Sequence, residues 1–312
     1  MSDRLSVSTT ETPPKSSRSP GKRFMAFFLR SEAFRGYSLI SPTMLIMLFA
    51  MCIPFAITVI MSFWTQNGIF FDTTLHMGNY VKLVENPVFR ALLIRSLYIS
   101  GACTFFTVFF SYPMAYYVAF HVHRRKLLWL VMMTVPFWTS YLLRVFSWKV
   151  ILGYNGIINA SLIWLGLIDK PLAWLLYTPF AVTLTLAHAW AAFAILPIYG
   201  SLEKIDRTLF EAATDLGDGP VARFFRVTLP LSLPGVVAAI LIIFIPTVGD
   251  FVTAAWVGGP DGMMIANIIQ AMFGAINDYP MGATLAIAMM ALVALVSVIF
   301  IWVTNIFIRR KL

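Results

Sequence analysis

Charge is the scarcest property of this 312-residue chain: only 12% of its residues are Asp, Glu, Lys or Arg, against about 25% in an average soluble domain. At 59% hydrophobic residues it has too few polar groups to coat a soluble or periplasmic globule, and too much apolar surface to stay disordered. Cysteine is nearly absent. Cys52 and Cys103 both lie inside apolar runs, which excludes a disulfide scaffold and a thiolate metal clip. No G-x-x-x-x-G-K-[ST] phosphate loop occurs, and Gly258–Gly262 has no lysine after it. No His/Asp/Glu metal cluster and no nucleophile–base pair stand out, so neither a catalytic residue nor a metal ligand is expected. His121 and His123 are two residues apart, off any common helix face. What remains is a polytopic membrane protein.

A crossing helix needs about 20 apolar residues. Six segments qualify: Tyr37–Phe63, Ser96–Phe120, Leu127 to about Leu152, Pro179–Tyr199, Ser232 to about Val257, and Tyr279–Ile308. Arg144 and Lys149 interrupt the third. These lengths predict an all-α membrane protein with six transmembrane helices rather than a barrel of 10-residue alternating strands. Pro54, Pro113, Pro136 and Pro246 lie inside spans and predict kinks. The segments Ile157–Leu167 and Met263–Ile276 read as short helices over one mouth of the bundle.

Basic residues set the orientation. Seven lie in the first 36 residues, three follow span two (Arg124, Arg125, Lys126), and four lie between spans four and five (Lys204, Arg207, Arg223, Arg226). With Arg309, Arg310 and Lys311 that places seventeen of the 23 on one side. Both termini are therefore expected in the cytoplasm. The net charge of +9 is read as a topology signal in contact with lipid, not as a nucleic-acid surface. Residues 1–36 form a basic segment, rich in Ser, Thr and Pro at its start and expected to be largely disordered, ahead of a six-helix transmembrane domain over 37–312. No cleavable signal peptide is apparent, and the first span is expected to remain as an anchor.

The segment of about 200–231 between spans four and five is the most informative. Its pattern predicts a short amphipathic helix over Arg207–Leu216, with Leu209, Phe210, Ala213 and Leu216 on one face, stopped by Gly217, Gly219 and Pro220. Periodicity alone leaves an interfacial helix resting on lipid open. The residues themselves say more. Glu211-Ala212-Ala213, Gly217 three residues on, and Val227-Thr228-Leu229-Pro230 nine residues after that resemble the EAA signature of permease subunits of bacterial ABC importers. Val227 for the usual Ile is the one departure. Pro136–Trp148 in span three and Phe244–Val252 with Gly258–Asp261 resemble spermidine/putrescine permeases, although that family often has Glu where Asp250 stands.

This resemblance implies a type I ABC importer permease fold, a bacterial inner-membrane location, and a set of partners: an ABC ATPase dimer, a second related permease subunit and a periplasmic solute-binding protein. It implies no cofactor in this chain, ATP and Mg²⁺ being bound by the ATPase. It assigns Glu211 as the charged anchor of a coupling helix, Ala212 and Ala213 as the narrow face that enters the ATPase, and Gly217 as the sharp turn, with Leu229 and Pro230 closing the signature. The solute is expected to be a polyamine. The same architecture serving another amine, an opine or a small anion stays open, as does an ion-coupled secondary transporter, which the EAA segment argues against.

Ionisable groups within spans mark functional sites. Counted from Pro234, Asp250 lies about 24 Å along the expected fifth span, in its outer part. An extended cation suits a carboxylate flanked by aromatic rings, and Trp138, Tyr141, Phe251 and Trp256 are the neighbours expected there. Arg144 completes the candidate pathway set, and the competing reading pairs it with Asp250; both hold if the pair is part of a gate. His188 is expected as a hydrogen-bonded interior residue.

Overall fold

The structure, a computed structural model, describes residues 32–68 and 70–311. Residues 1–31 of the segment expected to be largely disordered lie outside the described residues, and its last five, 32–36, are helical. Helix α1 (Glu32–Met61) opens the described chain. The contact pattern separates residues up to Ile57 from a body running from Thr58 to Leu312, and each is described by itself. The described residues of the first unit belong to one apolar helix, with Pro42 and Pro54 inside it.

The body begins with an antiparallel hairpin, β1 (Thr65–Asn67) and β2 (Phe70–Asp72), with Gln66 opposite Phe71. This small sheet is an addition to an otherwise helical chain. Then follow α2 (Gly78–Glu85), α3 (Pro87–Phe120), α4 (Lys126–Thr134), α5 (Tyr141–Leu152), α6 (Ile157–Trp164), α7 (Pro179–Leu202), α8 (Thr208–Asp215) and α9 (Pro220–Arg223). The chain closes with α10 (Leu229–Val248), α11 (Gly259–Gly262), α12 (Ile265–Phe273) and α13 (Tyr279–Lys311).

Helices α3, α7 and α10 form the centre. Ile99 and Cys103 of α3, Leu186, Ile195 and Ile198 of α7, and Ala239 and Ile243 of α10 are fully buried against one another. In a bilayer, apolar contact between helices is no better than contact with lipid, so close approach and polar bonds must hold them. Both occur here. Thr107 and Ser111 donate from α3 to the carbonyls of Ala187 and Ala191 on α7, at 3.4 and 3.3 Å. Tyr112 Oη and Ser232 Oγ join α3 to α10 at 2.8 Å. A second cluster, Leu92, Ile265, Met281 and Leu285, packs α3, α12 and α13 together.

Five helices are long and apolar enough to cross a membrane, and a bent pair brings the number to six. Two expected spans differ in shape. The third is broken: the stretch Lys126–Trp138, α4 and a 3₁₀ turn, meets the stretch Tyr141–Trp164 at 79°. Pro136 occupies that turn, and Thr139 and Ser140 adopt extended ψ angles of 153° and 136°, ending one helix before the next begins. The expected fifth span, Ser232 to about Val257, is shifted toward the N-terminus. The helix starts at Pro220 and stops at Val248, because Gly249 caps it and a separate π-helical turn takes over at Ala254–Gly258.

Candidate functional site

Two groups of the expected residues are brought to opposite ends of one helix. The continuous stretch Pro220–Val248 is about 40 Å long at helical rise; the Glu211 segment lies at its start and Asp250 just past its end.

At the first end, Asp206 Oδ1 accepts from the Thr208 amide at 3.0 Å and starts α8. Hydrogen bonds from Thr208 hold its carboxyl below the usual carboxylate range. That contribution is present at neutral pH and is lost as pH falls through the lowered value. Ala213 is buried and Phe210 packs on the core, whereas Leu209 and Leu216 are exposed, so the helix seats only half of its expected apolar face. Phe210 meets Phe120 edge-on, and Arg223 lies over its ring at 5.6 Å.

The exit from α8 depends on Gly217. Its φ is +89°; its amide reaches Thr214 O at 2.9 Å and the next amide, Asp218, reaches Ala213 O at 3.0 Å. These are the two bonds of a Schellman stop. A Cβ at Gly217 would meet nothing within 4 Å, so only conformation, not space, demands glycine. Gly217→Ala should thus cost about 1–2 kcal/mol in local order, seen as faster proteolytic nicking of residues 204–219 with the global unfolding midpoint unchanged.

Arg226 pairs with Asp218, while Glu211 and Ala212 are exposed. Among the described residues Glu211 makes no ion pair, although Arg207, Arg223 and His121 line the same cavity of about 300 Å³. Leu229 and Pro230 belong to the first turn of α10 rather than to a loop. Ahead of them Phe224–Thr228 forms a π-helical turn in which the Leu229 amide bonds Phe224 O. That wider turn makes room for the proline ring and its missing N–H.

At the far end the two helix interruptions meet. Tyr141, the first residue of α5, donates to Asp250 Oδ2 and shares a 2.6 Å hydrogen bond with Thr253 Oγ1. Asp250 Oδ1 accepts the Thr253 amide at 2.7 Å, capping the turn after the break. Asn267 secures the same stretch by donating to Phe251 O at 2.8 Å. The expected Asp250–Arg144 ion pair is not formed. Arg144 instead donates to Ala189 O at 2.9 Å, its Nε is buried without a partner, and its guanidinium lies 5.8 Å from the rings of both Phe137 and Tyr141.

The other expected neighbours are exposed aromatic side chains. Trp138 is 80% exposed beside the bend. Trp256 and Phe251 are also exposed; Trp256 forms a separate patch with Phe146 and with Lys149, whose ammonium is 4.8 Å from the indole. His188 is exposed, not interior, with its ring against Phe137 and Trp148. Thr253 and Asn267 are the partners that sequence reasoning missed. The Asp-x-x-Thr spacing after Gly249 is a capping pattern that would have pointed to Thr253. An apolar cavity of about 590 Å³ between α3, α10 and α13 contains no charged side chain; it reaches Phe224 and Leu229 at the first end but none of the residues around Asp250. Among the described residues no cluster of three His, Cys, Asp or Glu side chains is suited to a metal ion.

Residues 25–312 match the family described as binding-protein-dependent transport system inner membrane component. The chain is 33% identical over 251 residues to the spermidine/putrescine transport system permease protein PotB of Escherichia coli (strain K12), covering 80% of this chain and 90% of that one. It is 35% identical over 267 residues to PotB of Haemophilus influenzae (strain ATCC 51907 / DSM 11121 / KW20 / Rd), covering 85% and 92%. Among solved structures, a chain of a bacterial alginate ABC transporter in complex with alginate pentasaccharide-bound periplasmic protein superposes with a TM-score of 0.69 at 17% identity, covering 89% of this chain and 95% of that one. At that identity the likeness concerns the fold alone.

Proposed function

The chain belongs to the binding-protein-dependent transport system inner membrane components, and from that premise we propose that it forms part of the membrane pathway of an ATP-driven polyamine importer. In this reading the clustered Lys and Arg residues keep both termini and the α8 segment in the cytoplasm. Helix α8 docks on a separate ABC ATPase dimer through Glu211, with Ala212 at the contact. ATP and Mg²⁺ are held by that ATPase and not by this chain. A second related permease subunit completes the pathway, and a periplasmic solute-binding protein delivers the cargo. ATPase closure displaces α8, and the displacement must favour one pathway conformation over the other to move solute.

The observation that carries a cationic solute is Asp250, held by Tyr141 and Thr253 where two helices are interrupted. Interrupted helices are a recurrent setting for solute sites in transporters, and a carboxylate beside an aromatic ring favours an ammonium. The relatives named for spermidine and putrescine support the same choice. The test is Asp250→Asn. An amide oxygen still accepts the Thr253 N–H and the amide nitrogen can donate to the Tyr141 hydroxyl, so the turn survives while the charge and the bond from Tyr141 are lost. Uptake of labelled spermidine should fall about tenfold or more, the value of one charge-assisted bond, with ATPase association intact. An unchanged uptake rate overturns the direct role of Asp250.

A further inference from the structure

Helix α4, the first half of the bent span, is loosely held. None of its nine residues is buried, and only Leu130 and Met133 lean on the core. Its entry is tight: Arg125 has a φ of 60°, a left-handed conformation that residues with a Cβ seldom adopt. Immediately after it, the Lys126 ammonium donates to both Glu203 carboxylate oxygens at 2.8 Å and to Ala119 O at 2.9 Å. All three of its protons are thereby used.

Those bonds join three elements at one point. Ala119 is in the last turn of α3, Lys126 begins α4, and Glu203 caps α7 directly ahead of the segment that carries Glu211. The pair is partly exposed, at 23% and 40%, and an ion pair in that setting adds little to stability. Its placement is a matter of geometry. The same α4 leads through the turn at Val135–Trp138 and the extended Thr139–Ser140 to Tyr141, whose hydroxyl holds Asp250.

We propose that Lys126 and Glu203 are positioning residues that carry displacement of the α8 segment into α4, and so to the bend and to Asp250. This rests on the importer reading above. The experiment uses the complete transporter in proteoliposomes, with labelled spermidine as probe, and reads solute moved per ATP hydrolysed together with ATPase co-purification. Lys126→Glu and Glu203→Lys should each lower the ratio about fivefold or more while the ATPase stays bound. The double swap should recover most of the loss, as contacting pairs do in a mutant cycle. Lys126→Met, which keeps the apolar stem and introduces no repulsion, should show the same loss as the reversals, and Lys126→Arg should retain the wild-type ratio. Wild-type ratios in Lys126→Met and in both reversals overturn the proposal, as does a double swap no better than the single variants. A wild-type chain that neither retains an ATPase nor moves spermidine would instead overturn the importer reading, and is read separately.

Discussion

Glu211→Arg is expected to abolish uptake and to release the ATPase from the membrane complex, while the chain itself remains folded. The carboxylate is exposed and forms no ion pair among the described residues, with Arg207 and Arg223 nearby but outside contact range. It therefore contributes little to the fold of the isolated subunit and is free to accept hydrogen bonds from a partner. Removing one member of a buried, hydrogen-bonded charge pair costs about 2–5 kcal/mol of association. Reversing its sign adds repulsion, so the dissociation constant for the ATPase should rise by at least about 30-fold. The measurement is co-purification and affinity of the ATPase with the detergent-solubilised subunit, beside transport in cells. Retained association and transport would remove the coupling role from α8.

The second large effect falls on stability. A Cβ at Gly235 would lie 2.4 Å from Pro197 O and 2.4 Å from Ser201 Oγ, closer than any real contact. Here α10 crosses α7 backbone against backbone, next to the Tyr112–Ser232 bond. The carbonyl cannot step aside without separating the helices, and no hydrophobic gain offsets the separation in lipid. Gly235→Val is expected to exceed the usual overpacking cost of about 1–3 kcal/mol and to prevent accumulation of the subunit. Gly235→Ala should still fold, with a thermal midpoint in detergent lowered by about 5 °C or more. Gly101→Ala is the control: it sits in α3 with nothing within 4 Å of the added atom and should be neutral or mildly stabilising.

Much of this architecture could be read from residue order because apolar runs and basic clusters act at the scale of a whole helix. The EAA segment was legible for a different reason: its residues resemble a known signature, and at Gly217 a φ of +89° admits few residues besides glycine. The failures share a cause. Hydropathy does not distinguish a straight apolar run from a broken one: Pro136 predicted the kink in residues 127–152 but not its sharpness, and the break at Gly249 in residues 232–257 went unseen. The breaks are set by single residues, Pro136 in one and Gly249-Asp250 in the other. The pairing of Asp250 with Arg144 failed because equal depth in two spans says nothing about rotation around them. On α5, Tyr141 faces the carboxylate, whereas Arg144 turns to Ala189 O on α7. Trp138 and Trp256 are exposed aromatics near the breaks, and their side-chain surroundings were not legible from sequence.

Pro230 and Pro234 would ordinarily divide a helix, yet the stretch from Pro220 to Val248 is unbroken because the widened turn at Phe224–Thr228 absorbs the first ring. The result is one long helical arm with its widened turn near the base. Swinging such an arm by about 5° carries its tip through an arc of about 3.5 Å, roughly the diameter of a methylene chain. In the importer reading proposed above, a small rotation at that turn would displace the Gly249–Asp250 break by this distance.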